Sequence, residues 1–300
     1  MILVVGATGR LGGMIAQRLL AAGKEVRILV RHNSPSEELA MHGLATPAQA
    51  LIDAGAQPVY GDLKDRASLD VACDGIQTVI TTANSALRGG EDNVETVDLK
   101  GNRSLIDAAE AAGVKQLIFT SALVADKDSP VPFLQAKALS EERLCASGLG
   151  FTILAPNTFM EVWVGSIVGM PLRRGQPVTL VGKARCKHSF VSMGDVAAFA
   201  VAAVDNPAAL NQRLAIGGPE AVSWRDVVSA CGRALGRELP VQFVAPGEPI
   251  PGQREEVSAL MAAMESYESV IDMAEAARTF GVELTPLGMV ADRMFGGARS

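Results

Sequence analysis

Residues 1–13, MILVVGATGRLGG, carry the pattern that decides the fold. Four apolar residues predict a buried strand and lead directly into Gly6, Gly9 and Gly12. Glycines at this spacing let the chain turn off the strand, approach a pyrophosphate closely and pack the next helix against the strand. The free N–H groups and the positive dipole end of that helix then face the anion. A ligand-free glycine-rich turn is the alternative, but the preceding strand and the amphipathic segment 11–22 favour a bound dinucleotide.

The composition narrows the class of protein. The chain has 300 residues, of which 48% are hydrophobic, enough for a large α/β domain or for a nucleotide-binding domain with a smaller one. The net charge of −6 argues against broad nucleic-acid binding. No apolar run reaches the roughly 20 residues that a membrane helix needs, and the apolar start is too short for a signal peptide. The four cysteines form no C-x-x-C pair, so we expect free thiols and a cytoplasmic protein.

Short apolar runs alternate with helical segments along the first half of the chain. Strands are predicted at Ile2–Val5, Val26–Val30, Pro58–Tyr60, Thr78–Thr81, Gln116–Thr120 and Phe151–Leu154. Helices are predicted between them, notably Leu11–Ala22, Val94–Ala112 and Phe133–Ala146. Continuous apolar strands that alternate with helices predict an α/β fold, a Rossmann-type doubly wound parallel sheet covered on both faces.

The alternation fades after Pro156. We therefore predict an NAD(P)-binding domain over residues 1–155 and a smaller substrate-binding α/β lobe over residues 156–300, and leave open whether strands of the lobe rejoin the main sheet. Within the lobe we predict a strand at 188–191, helices at 195–204 and 224–235, a strand-and-loop region at 239–252, and a helical region from about 255 to 280.

The residues after the second strand distinguish NAD from NADP. An acid there would accept hydrogen bonds from the free ribose 2′-hydroxyl of NAD, whereas an arginine pairs with the 2′-phosphate of NADP. This chain has Arg31 and His32 and no acid, and Arg10 in the glycine turn offers a second guanidinium. Two planar cations suit a phosphate dianion, so the sequence favours NADP. The alternative is that Arg31 is a solvated strand end.

Other strand ends add to the predicted site. Asp62 follows the third strand, where its side chain either reaches the adenine amino group or caps a turn. Ala83 and Asn84 follow the fourth strand, where the chain should pass the inner ribose of the dinucleotide. No histidine or cysteine grouping indicates a metal site.

Several stretches together resemble the NmrA-like group of atypical short-chain dehydrogenases/reductases. They are GATGRLGG (6–13), LVRH (29–32), GDLKD (61–65), LIDAAEAAGVKQLIFTSA (105–122) and LAPNTFME (154–161), with echoes in FVSMGDVA (190–197) and GGPEAVSWRDV (217–227). The resemblance implies a Rossmann domain with a small C-terminal lobe and a preference for NADPH. The group includes quinone, triphenylmethane, isoflavone and phenylcoumaran ether reductases, and catalytically silent redox-sensing regulators.

The resemblance also implies roles for individual residues. Lys137 and Ser121 are the catalytic candidates, with an exposed helix lysine and a structural serine as the alternatives. Phe133, Phe159 and Trp163 are candidates for the substrate wall, although Phe159 and Trp163 lie four apart and are equally compatible with core packing. The predicted cofactor-binding residues are Gly6, Thr8, Gly9, Arg10, Leu11, Gly12, Arg31, Asp62, Leu63, Ala83, Asn84, Lys137, Pro156, Asn157, Thr158 and Phe159.

One position departs from the pattern of the superfamily. Typical short-chain reductases use Tyr-x-x-x-Lys, in which the tyrosine donates a proton to the carbonyl oxygen. This chain has Phe133-Leu-Gln-Ala-Lys137, and a phenyl ring donates no proton. Reduction of a simple ketone creates a localised alkoxide that needs such a donor. A quinone, enone or quinone methide spreads the incoming charge, so we expect a conjugated, electron-poor acceptor.

Two functional classes fit these residues. The first is an NADPH-dependent oxidoreductase that transfers hydride to a small conjugated acceptor. The alternative is a non-catalytic NADP(H)-sensing regulatory protein of the NmrA type that binds a protein partner, and a homodimer is left open. A third option is an epimerase or ether-cleaving enzyme without net cofactor turnover.

Two further features have weaker functional interpretations. His188 could act as a catalytic acid, but we expect it at the surface or at a strand edge. Lys183, Arg185 and Lys187 could attract an acidic substrate, although alternating basic residues are more often a solvated strand edge.

Overall fold

A seven-stranded sheet contains the strand that precedes the glycine turn. Its order is β3-β2-β1-β4-β5-β6-β8, and a separate two-stranded sheet pairs β7 with β9. The strands are β1 Ile2–Val5, β2 Val26–Val30, β3 Gln57–Tyr60, β4 Thr78–Thr81, β5 Gln116–Thr120, β6 Gly150–Pro156, β7 Val178–Val181, β8 Gln212–Ile216 and β9 Val241–Val244. The pairs from β3 through β6 are all parallel, which confirms the predicted Rossmann-type doubly wound α/β fold.

Helices connect and cover these strands. They are α1 Arg10–Ala21, α2 Ala48–Asp53, α3 Arg66–Cys73, α4 Asn102–Ala111, α5 Pro132–Cys145, α6 Met160–Val164, α7 Met170–Arg173, α8 Met193–Ala202, α9 Trp224–Leu235, α10 Glu255–Met264, α11 Ala274–Phe280 and α12 Leu287–Phe295. Two π-helical stretches, Val94–Gly101 and Gly165–Gly169, and a 3₁₀ turn, Pro207–Ala209, also occur among the described residues. Among these described helices, none has the length and apolar character that crossing a membrane requires.

The computed structural model describes residues 1–32, 40, 43, 45–86 and 88–296. Their contacts divide the chain into two units. Unit 1 holds Met1–Pro156, Val196–Ala215 and Thr279–Val282, and unit 2 holds the remainder. The chain therefore leaves unit 1 at the end of β6 and re-enters it to supply β8.

Each unit has its own apolar core. In unit 1, β1 is buried at all four positions, as an apolar run without polar alternation predicts. Side chains from β1, β4 and β5 pack there against α3 and α4 around Leu105 and Phe119. In unit 2, α9 contributes Trp224, Val227 and Cys231 to a cluster that also includes residues of β7 and α12. The helix α12 was not predicted from the sequence.

The predicted helix Val94–Ala112 changes its hydrogen-bond register part of the way along. Its first turns, Val94–Gly101, are π-helical and begin with a capping box between Asn93 and Thr96. The Nδ2 atom of Asn102 donates to the carbonyl oxygens of Val97, at 3.2 Å, and Asp98, at 3.1 Å. A side-chain donor thus engages two helix carbonyls where the π-helical stretch gives way to α4.

The predicted strand at 188–191 is wrong, because the segment forms only isolated bridges to Phe159, Val222 and Ser269. The N–H of Phe190 donates to the carbonyl of His188 at 2.9 Å, a local turn that interrupts any ladder. The predicted helical region 255–280 is likewise divided. It ends as α10 at Met264 and resumes as α11 at Ala274, and Ser269 in the interval bonds back to Lys187.

The expected surface position of His188 is also wrong. This residue is only 1% exposed. Its Nδ1 lies 2.7 Å from Oγ of Ser269, and its Nε2 lies 3.1 Å from the carbonyl oxygen of Met264. Burial lowers the pKa of His188, although the Met264 carbonyl and the charges of Glu268 and Glu265 oppose this shift. The imidazole is therefore held neutral inside unit 2.

This burial predicts a pH-dependent stability. An unfolded histidine binds a proton below about pH 6.5, whereas folded His188 resists protonation, so acid favours the unfolded state. We expect the melting temperature to fall between pH 7.5 and 5.5, and to fall less in the His188→Gln variant. The other two histidines remain in both proteins and act as the internal control. Parallel pH profiles of the two proteins would contradict this role for His188.

Candidate functional site

The glycine turn brings α1 into direct contact with the end of β1. Gly6 has a φ of +84°, a left-handed conformation that favours glycine. A Cβ on Gly12 would lie 2.2 Å from the carbonyl oxygen of Gly6, so no larger residue fits there without moving the helix. A Cβ on Gly13 would similarly lie 1.9 Å from Oγ1 of Thr46. Three glycines are therefore required by local packing alone.

Gly9 is different from these three glycines. It is exposed, and a Cβ there would meet only the Gly6 carbonyl oxygen, at 3.2 Å. Gly9 precedes α1, whose N-terminus receives no side-chain cap within the described chain. The first-turn N–H groups of a helix have no partners within it and attract anions. An open backbone at Gly9 beside such a helix end is a cradle that fits the pyrophosphate of a dinucleotide.

The neighbouring predicted residues contribute in different ways. The carbonyl oxygen of Thr8 accepts a hydrogen bond from the N–H of Thr46, at 2.9 Å. The side chain of Leu11 is buried in the core, so only its backbone is offered to a ligand. Arg10 is the first residue of α1 and is half-buried, and none of the described residues forms an ion pair with it.

Three cations from separate segments meet at Asp92. Arg31, directly after β2, donates through Nη1 to Oδ2 of Asp92. Lys64 Nζ lies 2.6 Å from Oδ1, and Arg88 Nη1 lies 3.3 Å from Oδ2. We call these four residues the Asp92 cluster. Arg31 is thus an ion-paired residue and not a solvated strand end, and the contacts join it to Lys64 and Arg88 instead of Arg10.

The electrostatics of the Asp92 cluster follow from burial and charge. Burial opposes ionisation of Asp92, but the Lys64 hydrogen bond and the charges of Arg31 and Arg88 outweigh it and lower the pKa of this carboxyl. The hydrogen bond between Lys64 and Asp92 raises the pKa of Lys64. Burial lowers the pKa of Arg88 the most, and the positive charge of Arg31 lowers it further. The cluster retains a net positive charge of two, which suits a dianion.

The predicted contacts after β3 and β4 are partly structural. Asp62 Oδ1 accepts the N–H of Lys64 at 2.9 Å, a turn-capping bond, and the side chain of Leu63 belongs to the unit 1 core. Ala83 is buried, and its carbonyl oxygen lies 3.5 Å from Nδ2 of Asn102. Asn84 is exposed, and its Oδ1 accepts the N–H of Ala86 at 3.0 Å.

Lys137 is a buried amine and not an exposed helix lysine. Its side chain lies on α5, the residue is 3% exposed, and Nζ donates to the carbonyl oxygen of Thr120 at 2.9 Å. Nζ also lies 4.9 Å from the ring centroid of Phe119 and 5.4 Å from that of Phe133. Burial lowers the pKa of Lys137, while the charges of Asp98 and Glu141 oppose the shift.

Two acids accompany Lys137. Asp98 is fully buried and accepts from the backbone N–H of Ser85 at 3.0 Å and from its hydroxyl at 2.6 Å, both on Oδ2. Its other oxygen, Oδ1, has no hydrogen-bond partner in the described part of the chain. Glu141 lies one helical turn after Lys137. A negative environment of this kind helps to keep a buried ammonium charged.

Ser121 is tied into an ion pair. It follows β5, is buried, and donates its hydroxyl to Oε1 of Glu141. Oε2 of Glu141 accepts from Nε of Arg213 at 2.8 Å, and Arg213 also donates to the carbonyl oxygen of Ala122 at 3.1 Å. The hydroxyl proton of Ser121 is therefore already used in a hydrogen bond within unit 1, and its oxygen can only accept further hydrogen bonds.

The remaining predicted residues lie around the end of β6. Pro156 is the last residue of β6 in unit 1, and its carbonyl oxygen accepts from Leu123 at 2.9 Å. Asn157, in unit 2, donates through Nδ2 to the hydroxyl of Ser269 at 3.0 Å. The other three are also in unit 2. Phe159 bridges to Val191, the carbonyl of Thr158 accepts from the same Val191, and Trp163 packs against the unit 2 core.

Several side chains at the site were not predicted from the sequence. Lys64 stands in the quoted GDLKD stretch. Glu141 lies four residues after Lys137, so helical spacing predicts that Lys137 and Glu141 share a face of the helix. Arg88 and Asp92 lie four positions apart but outside any helix, so their spacing alone does not indicate a pair. No local pattern indicates Asp98 or Arg213, because their partners are not neighbours in the sequence. The basic residues Lys183, Arg185 and Lys187 are exposed.

Comparison with known proteins agrees with the fold and the motifs. A photosystem II assembly factor of Cyanophora paradoxa is 32% identical over 243 residues, which cover 81% of this chain and 71% of that protein. An NAD(P)H azoreductase of Xenophilus azovorans is 30% identical over 246 residues, or 82% of this chain and 77% of that protein. The structure of an Escherichia coli NADPH-dependent quinone oxidoreductase complexed with NADPH superposes with a TM-score of 0.78 at 22% identity, and covers 98% of this chain and 100% of that one.

The match to a protein family extends over nearly the whole sequence. Residues 1–287 match the NmrA-like family, and the match includes the glycine turn, the Asp92 cluster and Lys137. The resemblance inferred from the motifs is thereby confirmed. This chain belongs to the NmrA-like family.

Proposed function

We propose that this protein is an NADPH-dependent reductase that transfers hydride to a small conjugated, electron-poor acceptor. The observation that carries the proposal is the pairing of a buried Lys137 with the phenyl ring of Phe133, 5.4 Å from Nζ. The pair keeps the lysine that orients a nicotinamide ribose and lacks the hydroxyl that protonates a carbonyl oxygen. An azoreductase at 30% identity supports a conjugated acceptor.

Residues of unit 1 would hold the cofactor. The Gly9 backbone and the N-terminal amides of α1 would bind the pyrophosphate, and the cations of the Asp92 cluster would bind the 2′-phosphate. Lys137 uses one of its three N–H donors on Thr120, which leaves two for the ribose hydroxyls. Asn157, Thr158 and Phe159 stay predicted nicotinamide contacts.

Bound NADPH supplies a hydride with its two electrons. Phe133 has no proton to give, the Ser121 hydroxyl donates to Glu141, and one Lys137 donor is held by Thr120. The protein would therefore accelerate the reaction by positioning the acceptor and not by general acid catalysis. The acceptor gains the hydride, its conjugated system carries the charge, and water provides the proton that completes the product.

A second candidate function is a nucleotide-binding regulatory protein. It is favoured by the relative named as a photosystem II assembly factor, which is 32% identical to this chain. Such a protein needs a dinucleotide site but no catalytic proton donor. Redox sensing requires different affinities for NADP⁺ and NADPH, because a ligand shifts a conformational equilibrium only through differential binding. Titration with both forms, beside the assay below, separates the two functions.

The acceptor assay tests the proposal directly. We expect NADPH oxidation, followed by absorbance, with at least one member of a panel of quinones, enones, azo compounds and triarylmethane dyes. The Lys137→Met variant should lose about 100-fold in kcat, because the ribose is no longer positioned. Lys100→Met is the matched control, since Lys100 is 70% exposed and pairs with Glu95. Failure of every acceptor would reject the reductase, and an unchanged kcat in Lys137→Met would reject the role of Lys137.

The missing hydroxyl can be restored. The Phe133→Tyr variant should gain reduction of simple ketones, because the new phenol would stand beside an ammonium that favours its ionised form. The gain should disappear in the double variant Phe133→Tyr/Lys137→Met, measured with the same ketone. Ketone reduction that persists in the double variant would show that the pair is not the source of the new activity.

The coenzyme preference has its own test. Arg31→Gln should weaken NADPH binding about tenfold, the loss typical of a charge-assisted contact to phosphate, and should change NADH binding little. Fluorescence titration measures both affinities. Arg66→Gln is the control, because Arg66 is 43% exposed and pairs with Asp70 on the same helix. Equal losses for NADPH and NADH would exclude a 2′-phosphate contact at Arg31.

A further inference from the structure

Asp92 occupies the point at which three cations meet. Arg31 follows β2, Lys64 follows β3, and Arg88 lies in the segment after β4. All three direct a nitrogen at the same carboxylate, with Lys64 on Oδ1 and both arginines on Oδ2. Contacts from three separate segments make this a convergent site and not a local helix pair.

The site is partly shielded from solvent. The Asp92 side chain is 12% exposed, and the three cationic side chains are 24–31% exposed. Like charges held this close repel one another, and the Asp92 carboxylate offsets that repulsion. Asp62 and Glu91 add weaker, longer-range attraction for Lys64. The carboxylate is therefore the main counter-charge that gathers the cations.

A phosphate that engages the same three nitrogen atoms needs the same position. Its oxygens must lie within about 3 Å of Arg31, Lys64 and Arg88, where the two carboxylate oxygens of Asp92 now lie. Two anions that compete for the same donors also repel each other. The carboxylate and the phosphate therefore exclude one another.

We propose that Asp92 is an internal counter-anion that the 2′-phosphate of NADP(H) displaces from Arg31, Lys64 and Arg88. The inference rests on the proposed function, since it requires a dinucleotide in the glycine turn. A dianion gains more from three cations than a monocarboxylate does, so NADP(H) makes the exchange. NAD(H) has no 2′-phosphate, leaves Asp92 on its partners and gains nothing from the cations.

The exchange has a thermodynamic consequence. A contact that is present only before the phosphate binds stabilises the unliganded protein, and it weakens phosphate binding by the same factor. Removal of the carboxylate should therefore tighten binding and lower the stability of the unliganded protein. A residue that merely positions the cations for the phosphate would have the opposite effect on binding.

The test compares the wild type with Asp92→Asn. The probes are 2′,5′-ADP, which carries a 2′-phosphate, and 5′-ADP, which has two phosphates but none on the 2′ oxygen. Calorimetry measures the affinity of each. We expect 2′,5′-ADP to bind about five- to thirtyfold more tightly to Asp92→Asn, the combined effect of several partly exposed ion pairs, and 5′-ADP to be unchanged. The melting temperature of Asp92→Asn should fall without ligand and return close to that of the wild type with saturating 2′,5′-ADP.

Asp70→Asn is the matched control, because it makes the same charge change at an exposed residue of α3. Unchanged or weaker binding of 2′,5′-ADP by Asp92→Asn would overturn the proposal. Equal tightening for 5′-ADP, or in Asp70→Asn, would also overturn it, since net charge alone would then be the cause.

A structure of the wild type with 2′,5′-ADP tests the proposal independently of the variant's folding. Asp92 should lie beyond hydrogen-bond distance of Arg31 and Lys64, and a carboxylate that stays on both residues would overturn the displacement. A wild type that binds neither 2′,5′-ADP nor NADPH contradicts the proposed function, whereas binding without tightening in Asp92→Asn contradicts only the role of Asp92.

Discussion

The close approach of Gly12 to the carbonyl of Gly6 is the constraint on which the proposed cofactor cradle depends. A Cβ would need to sit 2.2 Å from that oxygen, so the start of α1 can lie against the end of β1 only because residue 12 has no side chain. The approach leaves the exposed backbone of Gly9 beside the uncapped helix end. The geometry of the proposed phosphate site is thus a result of packing, and that site and the sheet core are specified together.

The sequence was sufficient for features that depend on neighbouring residues. β1, β2, β4 and β5 have the predicted bounds because continuous apolar runs between turn residues indicate buried parallel strands. Features that depend on distant partners were not predictable. Asp92 meets Arg31 across 61 positions, and no periodic pattern links them. His188 was misplaced for the same reason, because its partners Met264 and Ser269 follow it by more than 70 residues.

The surroundings of Lys137 show how the fold accommodates a buried amine. The ammonium is removed from water and lies against two aromatic rings, an arrangement that costs free energy unless charges and carbonyls offset it. Thr120 provides the carbonyl, and Asp98 and Glu141 provide the charges. Glu141 in turn fixes Ser121 and Arg213. The lysine motif predicted the amine and helical spacing indicates Glu141 beside it, but only the fold supplies Asp98.

The late return of the chain to supply β8 has a consequence for folding. β6 pairs with β8, a strand that is synthesised only after Asn157–Asp195, the first segment of unit 2. Until then β6 is an open sheet edge, and such edges invite pairing with other chains. Arg213 lies on β8, so Glu141 also lacks its guanidinium during that interval. A fragment that stops at Pro156 would therefore contain every glycine of the cradle and six of the seven strands, and would still be prone to aggregate through the open edge of β6.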